Sequence, residues 1–220
     1  MTAIKKNDFV ELEYTGRIRE DNSIFDTIVE SVAKENHIYK KGAHYAPIVV
    51  CVGKHMMMPA LEESLIGKET GKNYDVSIEA ERAFGKKDGK LIQMIPTNKF
   101  IQQKINPIPG LSLNIDGNFG VIKTVSGGRC LVDFNHPLAG KDVVYTVKAH
   151  KIVTDSKEKL ESIANLYLGH AHAEVTGDSG TVKMHQKLPK EMEDEFKKEV
   201  ALAIPELKSL HFSVEAHKKE

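Results

Sequence analysis

The chain has 220 residues, equal numbers of basic and acidic side chains (31 each), a formal net charge of 0 at pH 7 and a sequence pI near 7.2. Hydrophobic residues make up 40% and charged residues 28%, a balance that supports a packed core and excludes a disordered chain. Neutral overall charge removes the electrostatic case for nucleic acid or an anionic membrane, and no apolar run approaches the roughly 20 residues needed to span a bilayer. The opening stretch MTAIKKNDFVELEY carries lysines without an apolar segment behind them, so no signal peptide is read there and a cytoplasmic location is expected. Cys51 and Cys130 lie in apolar, strand-like runs and are expected to be reduced and buried.

From the N-terminus, DFVELEYTGRI (8–18) alternates, with Val10, Leu12 and Tyr14 in phase and Phe9 out of phase. This predicts a half-buried strand, with Gly16 marking a bend. Glu20-Asp21-Asn22 is a turn and Ile24 to Thr27 resumes an extended run. Residues 29–46 are polar and read as a long loop with one helical turn, of the kind that is usually functional. Ile48 to Val52 is the next strand. In the following helix Met58, Leu61 and Leu65 share a face, Pro59 fits the first turn, Glu62 and Glu63 are read on the outer side near the positive end, and Gly67 is the stop. Tyr74 to Ile78 alternates as a one-sided strand, and Ala83-Phe84-Gly85 closes the segment.

A polar linker follows Gly85, and residues 91–134 carry a pattern of their own. Ile92, Met94 and Phe100 come first. Three short strand candidates then follow (111–115, 118–125 and 129–133), separated by Asp116-Gly117 and Ser126-Gly127-Gly128, both with hairpin chemistry. A strand from Val143 to about Ile152 resumes the earlier pattern. The rest reads helix, strand, strand, helix, strand: a helix from Ser156 stopped at Gly169, strands at 170–175 and 180–186, a helix from Lys190 to about Ile204, and a final strand with Leu210, Phe212 and Val214. That run is a separate α+β module.

Four of these pieces together resemble the FKBP family of peptidyl-prolyl cis-trans isomerases, and more closely its SlyD-like and long archaeal members, which carry an insert-in-flap domain. They are VELEYTGRI with IFD at 24–26, VGKHMMMPALEESLIGKETGKNYDVSI, ERAFG at 81–85, and NHPLAGKDVVYTV at 135–147. Together they span about half of the chain. The resemblance implies an α+β fold in which a half-open antiparallel sheet, from 1–85 and 135–153, wraps a short helix. It further implies a small β-rich domain inserted at 86–134, and the long archaeal members also have a C-terminal domain, here 154–220. The pocket positions it implies are Tyr14, Phe25, Asp26, Ile48, Met57, Met58, Leu61, Phe84 and Tyr145. Leu61 stands where many members have a Trp floor, and Phe84 where many have a Tyr whose hydroxyl bonds the ligand. With that donor gone, the Met58 backbone N–H is the expected substitute.

The implied activity is rotation about X–Pro bonds with proline-containing peptides and unfolded or nascent proteins as partners. In SlyD-like members the insert binds unfolded chains. Here Ile92, Met94 and Phe100, with neighbouring apolar residues, are the candidate client contacts, and internal core is the other reading of the same residues. Such catalysis needs no nucleophile, base or cofactor, and no Ser/His/Asp set, phosphate loop, HExxH or CxxC occurs. The competing class is a peptide-binding module with a silent proline pocket. His170-x-His172 would put two imidazoles on one strand face, a half-site for metal, while solvent-facing histidines are the plainer reading. No metal and no cofactor are expected. The C-terminal module could pair two chains into a homodimer or add a client surface.

Overall fold

The computed structural model describes residues 2–115, 117–169, 171–184 and 186–214. His170, one half of the suggested metal pair, lies outside the described residues, as do His185 and Asp116. The chain forms two compact units: residues 1–78 with 143–220, and residues 79–142.

In the first unit, β1 (Phe9–Ile18), β2 (Ile24–Thr27), α1 (Glu30–Glu35), β3 (Ile48–Cys51), α2 (Pro59–Leu65) and β4 (Lys72–Ile78) come from the N-terminal segment. The second unit contributes β5 (Ile92–Pro96), α3 (Thr97–Gln102), β6 (Ser112–Ile115), β7 (Asn118–Ser126) and β8 (Arg129–Asp133). The chain then returns to the first unit with β9 (Val143–Val153), α4 (Ser156–Leu168), β10 (His172–Thr176), β11 (Ser179–Met184), α5 (Lys190–Ala203) and β12 (Ser209–Val214).

The main sheet runs β2-β1-β9-β4, with β3 also paired to β1, and every pairing in it is antiparallel. The ladder of β1 with β9 slips at Glu11/Leu12, and that of β1 with β2 slips at Gly16/Arg17, local bulges that re-aim side chains. Val10, Leu12, Val76, Ile78, Val143 and Val147 are buried, as the alternation predicts, and so are Leu61 and Leu65 of α2. Proline fits the first position of α2 because its missing N–H has no intrahelical partner there.

Phe9 corrects the reading of β1 as one-sided. It is buried, and its core includes Cys51, Val153, Leu160, Ile163, Ala164, Val182, Phe196 and Val200. The C-terminal elements cover the second face of the sheet, α4 packing on β3 as well as on β10 and β11. Their own sheet, β10-β11-β12, is antiparallel at its first pairing and parallel at its second. Where the sequence suggests a separate C-terminal module, these residues share a core with the N-terminal strands. Asp155 caps α4 by accepting from the Glu158 N–H at 2.8 Å.

The second unit is a four-stranded antiparallel sheet, β5-β8-β7-β6, with α3. The sequence pattern misses β5 as a strand. Phe100, Ile122, Cys130 and Val132 are its core, joined by Ile95, Leu113, Val125 and Phe134. The entering and leaving strands are clasped: Asp133 Oδ1 accepts from the backbone and side-chain N–H groups of Asn135 at 3.0 and 2.8 Å, and the Asn135 amide exchanges hydrogen bonds with the Asp88 backbone.

Both cysteines are buried free thiols. Among the described residues no helix is long and apolar enough to cross a membrane, and no group of three or more metal-ligating side chains stands together. His172 Nδ1 lies 3.3 Å from Glu161 Oε1.

Candidate active site

The first unit brings Tyr14, Phe25, Asp26 and Tyr145 together on β1, β2 and β9. The Tyr145 ring lies edge-on to both neighbours, its centroid 5.8 Å from that of Tyr14 and 5.7 Å from that of Phe25. These separations suit edge-to-face aromatic attraction. The Tyr14 hydroxyl donates to Asp26 Oδ2 at 3.1 Å.

The arrangement depends on Gly16. A Cβ built there would lie 2.8 Å from Phe25 Cζ and 2.8 Å from Tyr145 Cε1. The sequence reads this glycine as a bend, whereas its use is space: both rings close over its bare backbone.

Burial, and after it the charge and hydrogen bond of Asp26, raise the Tyr14 phenol above its usual range. Burial and then Asp26 push Tyr145 up to about 12. Both phenols are therefore protonated and neutral across the physiological range.

Strand β3, helix α2 and the loop between them supply the other predicted positions of the first unit. Leu61 is 1% exposed, while Ile48, Met57 and Met58 are half-buried. The Met58 carbonyl accepts from the Leu61 N–H at 2.9 Å, which starts the helix.

Glu62 is the main residue that the sequence reading misplaces. Read as solvent-facing, it is 1% exposed. Its Oε2 accepts from the Gly53 and His55 N–H groups at 2.8 and 3.1 Å, and its Oε1 from the Met57 N–H at 2.8 Å. A buried carboxylate is tolerable only with such partners, and hydrogen bonds to charged groups contribute about 1.5–3 kcal/mol each. A signal was present: Glu62 is four residues after Met58 and three before Leu65, so helical spacing puts it on their face.

The second unit holds the other predicted residues. Phe84 is half-buried and stacks on His136, centroids 4.8 Å apart and planes 1° from parallel. Phe100, predicted as a client contact, is 3% exposed and belongs to the core, which corrects that assignment. Ile92 is half-buried on β5. Met94 is 63% exposed, and Leu91 and Ile101, two of the neighbouring apolar residues expected to add to that surface, are exposed with it; Ile108 and Phe119, which were not among the predicted contacts, are also exposed.

Residues 1–106 match the family described as FKBP-type peptidyl-prolyl cis-trans isomerase, and residues 93–138 match the domain described as FKBP26, IF domain. The chain is similar to a short-type peptidyl-prolyl cis-trans isomerase of Methanocaldococcus jannaschii, 36% identical over 68% of this chain and 94% of that protein. It is similar to the FKBP-type isomerase SlyD of Haemophilus influenzae at 30% identity, over 57% of this chain and 65% of that one. An FKBP-type 16 kDa isomerase of Escherichia coli is 32% identical over 48% of this chain and 74% of its own.

Proposed function

The chain belongs to the FKBP-type peptidyl-prolyl cis-trans isomerases, and we propose that it rotates X–Pro bonds in the aromatic box of Tyr14, Phe25, Asp26 and Tyr145, completed by Ile48, Met57, Met58 and Leu61. The single observation that carries this reading is a set of neutral rings closed over Gly16. The X–Pro barrier of about 18–20 kcal/mol arises from amide resonance. Twisting the bond removes that resonance and leaves a less charge-separated group, which an apolar lining favours over the planar amide. Differential stabilisation of about 4 kcal/mol is enough for a 10³-fold acceleration. The Tyr14–Asp26 pair orients the substrate, and the Met58 N–H is the donor to its carbonyl.

Exchange spectroscopy on an Ala-Leu-Pro-Phe peptide tests this reading without a coupled protease. Micromolar protein is expected to raise the cis/trans rate, and peptide binding to shift the Tyr145 ring and the Met57 and Met58 methyl signals. An unchanged rate would leave a peptide-binding module with a silent pocket.

The reading extends to unfolded and nascent chains as clients of the second unit, which would make the protein a folding chaperone. Support comes from the exposed Met94, Ile101, Ile108 and Phe119 and from the match at 93–138. Exposed apolar side chains of this kind suit an extended peptide, and methionine adapts to varied partners. Removing 86–134 and bridging the gap should keep peptide isomerisation and lose suppression of aggregation. Free, buried thiols support a cytoplasmic setting. A homodimer through the C-terminal elements fits the exposed Leu166, Met192 and Leu202, and sedimentation would measure it.

A further inference from the structure

Between β3 and α2 the chain runs through Gly53 to Met58, and every turn of this loop is tied down from one of two sides. On the inner side the Glu62 carboxylate receives the N–H groups of Gly53, His55 and Met57. They converge because Gly53 and His55 both adopt left-handed backbone, with φ of +88° and +57°, folding alternate N–H groups towards one point. On the outer side the Met56 sulfur accepts from the Cys51 N–H at 3.0 Å. The Met56 side chain packs against the core that α4, α5 and the C-terminal sheet form with Phe9 and Cys51. Met56, Ile163, Tyr167 and Ala203 also line one small cavity of about 10 Å³, too small for a ligand, so this side is a packed contact.

The aromatic box does not use the Glu62 carboxylate, yet Glu62 determines where Met57 and the Met58 N–H stand. We propose that Glu62 is a positioning residue for the isomerase site, clamping the Gly53–Met57 loop from within while Met56 anchors it to the C-terminal layer. This assigns residues 156–204 a part in catalysis: they brace the loop on which the proline site is built. The proposal rests on the assignment of Met57 and Met58 to that site.

The chemistry makes Glu62→Gln the informative substitution. Glutamine matches glutamate in size, but one of its two terminal groups is a donor. It can accept the Gly53 and His55 pair or the Met57 N–H, and the other side then sets donor against donor. One end of the loop must release.

The test uses the full chain at a temperature well below its unfolding midpoint. In the unsubstituted protein the Gly53, His55 and Met57 amides should exchange with solvent at least tenfold more slowly than those of the exposed Lys40–His44 segment. In Glu62→Gln, kcat/KM for the proline peptide should fall at least tenfold. The peptide-induced shifts of the Met57 and Met58 methyls should be lost while those of the Tyr145 ring remain, a split that a general loss of stability would not produce. Met56→Ala keeps the carboxylate and should give the same pattern more weakly, which provides a folded comparison if Glu62→Gln does not fold. Fast exchange at all three amides would overturn the proposal, as would a folded Glu62→Gln with kcat/KM within twofold and unaltered methyl shifts. If peptide moves neither methyl in the unsubstituted protein, the pocket assignment itself fails and the proposal with it; slow amide exchange would still identify the clamp as structural.

Discussion

Replacing Gly16 with alanine isolates the close approach on which the aromatic box depends. The glycine φ lies outside the left-handed region, so an alanine backbone fits and the perturbation is the added methyl alone. That methyl would stand 2.8 Å from ring carbons of both Phe25 and Tyr145 and 3.1 Å from a second Phe25 carbon. Carbon contacts are optimal at about 3.5–4.0 Å, so each ring must retreat by roughly 0.7 Å or more. Phe25 sits half-buried on the edge strand β2 and can swing. Tyr145 is 5% exposed on the interior strand β9 and cannot. Overpacking of this kind costs about 1–3 kcal/mol, and the loss of glycine's unfolded-state freedom returns about 0.4–1 kcal/mol. The net expectation is about 1–2 kcal/mol of destabilisation, with Phe25 displaced and kcat/KM for a proline peptide down about tenfold. Urea unfolding gives the first quantity and exchange spectroscopy the second. A Gly16→Ala protein with unchanged stability, activity within twofold and unshifted Phe25 and Tyr145 ring signals would refute the reasoning.

Tyr14→Phe removes the donor to Asp26 while keeping the ring; because Asp26 is exposed, stability should change by less than about 1 kcal/mol, and activity should fall severalfold in the peptide assay. Phe100→Ala should unfold the second unit, a buried Phe→Ala change costing about 3–5 kcal/mol, whereas Met94→Ser should leave its NMR spectrum intact and weaken only client binding. Burial by itself would raise the Asp133 carboxyl, but the Asn135 hydrogen bonds and Lys87 outweigh it and hold the group below the usual carboxylate range. A depressed value means that its contribution is complete above an unfolded pKa of about 3.9 and disappears as pH falls through the folded value. Urea midpoints of the second unit should therefore drop below about pH 4, and Asp133→Asn should flatten that part of the pH profile. An equally steep profile in the variant would count against the clasp.

Much was legible in the chain before any folding was considered. Alternation in DFVELEYTGRI marks β1, the Met58, Leu61 and Leu65 spacing marks α2, and the glycine-rich turns separate β7 from β8, because each reflects a local period that backbone geometry imposes. The same local rules bring Tyr14 and Tyr145 onto strands that pair. They leave open what covers an element's second face. Phe9 breaks the phase of its strand because α4 and the C-terminal sheet pack there, and no local pattern records a partner about 150 residues away. Phe100 and Met94 are equally apolar in the sequence, and only closure of the β5-β8-β7-β6 sheet makes one of them core and leaves the other exposed. Glu62 has helical spacing that points inward, yet its charge argues outward until a loop folds three N–H groups onto it. The sequence by itself determined the periods, the turns and the residue types of the proline site. Only the tertiary structure decided which rings close over Gly16 and which carboxylate is buried, since close approach and desolvation are properties of segments brought together from distant parts of the chain.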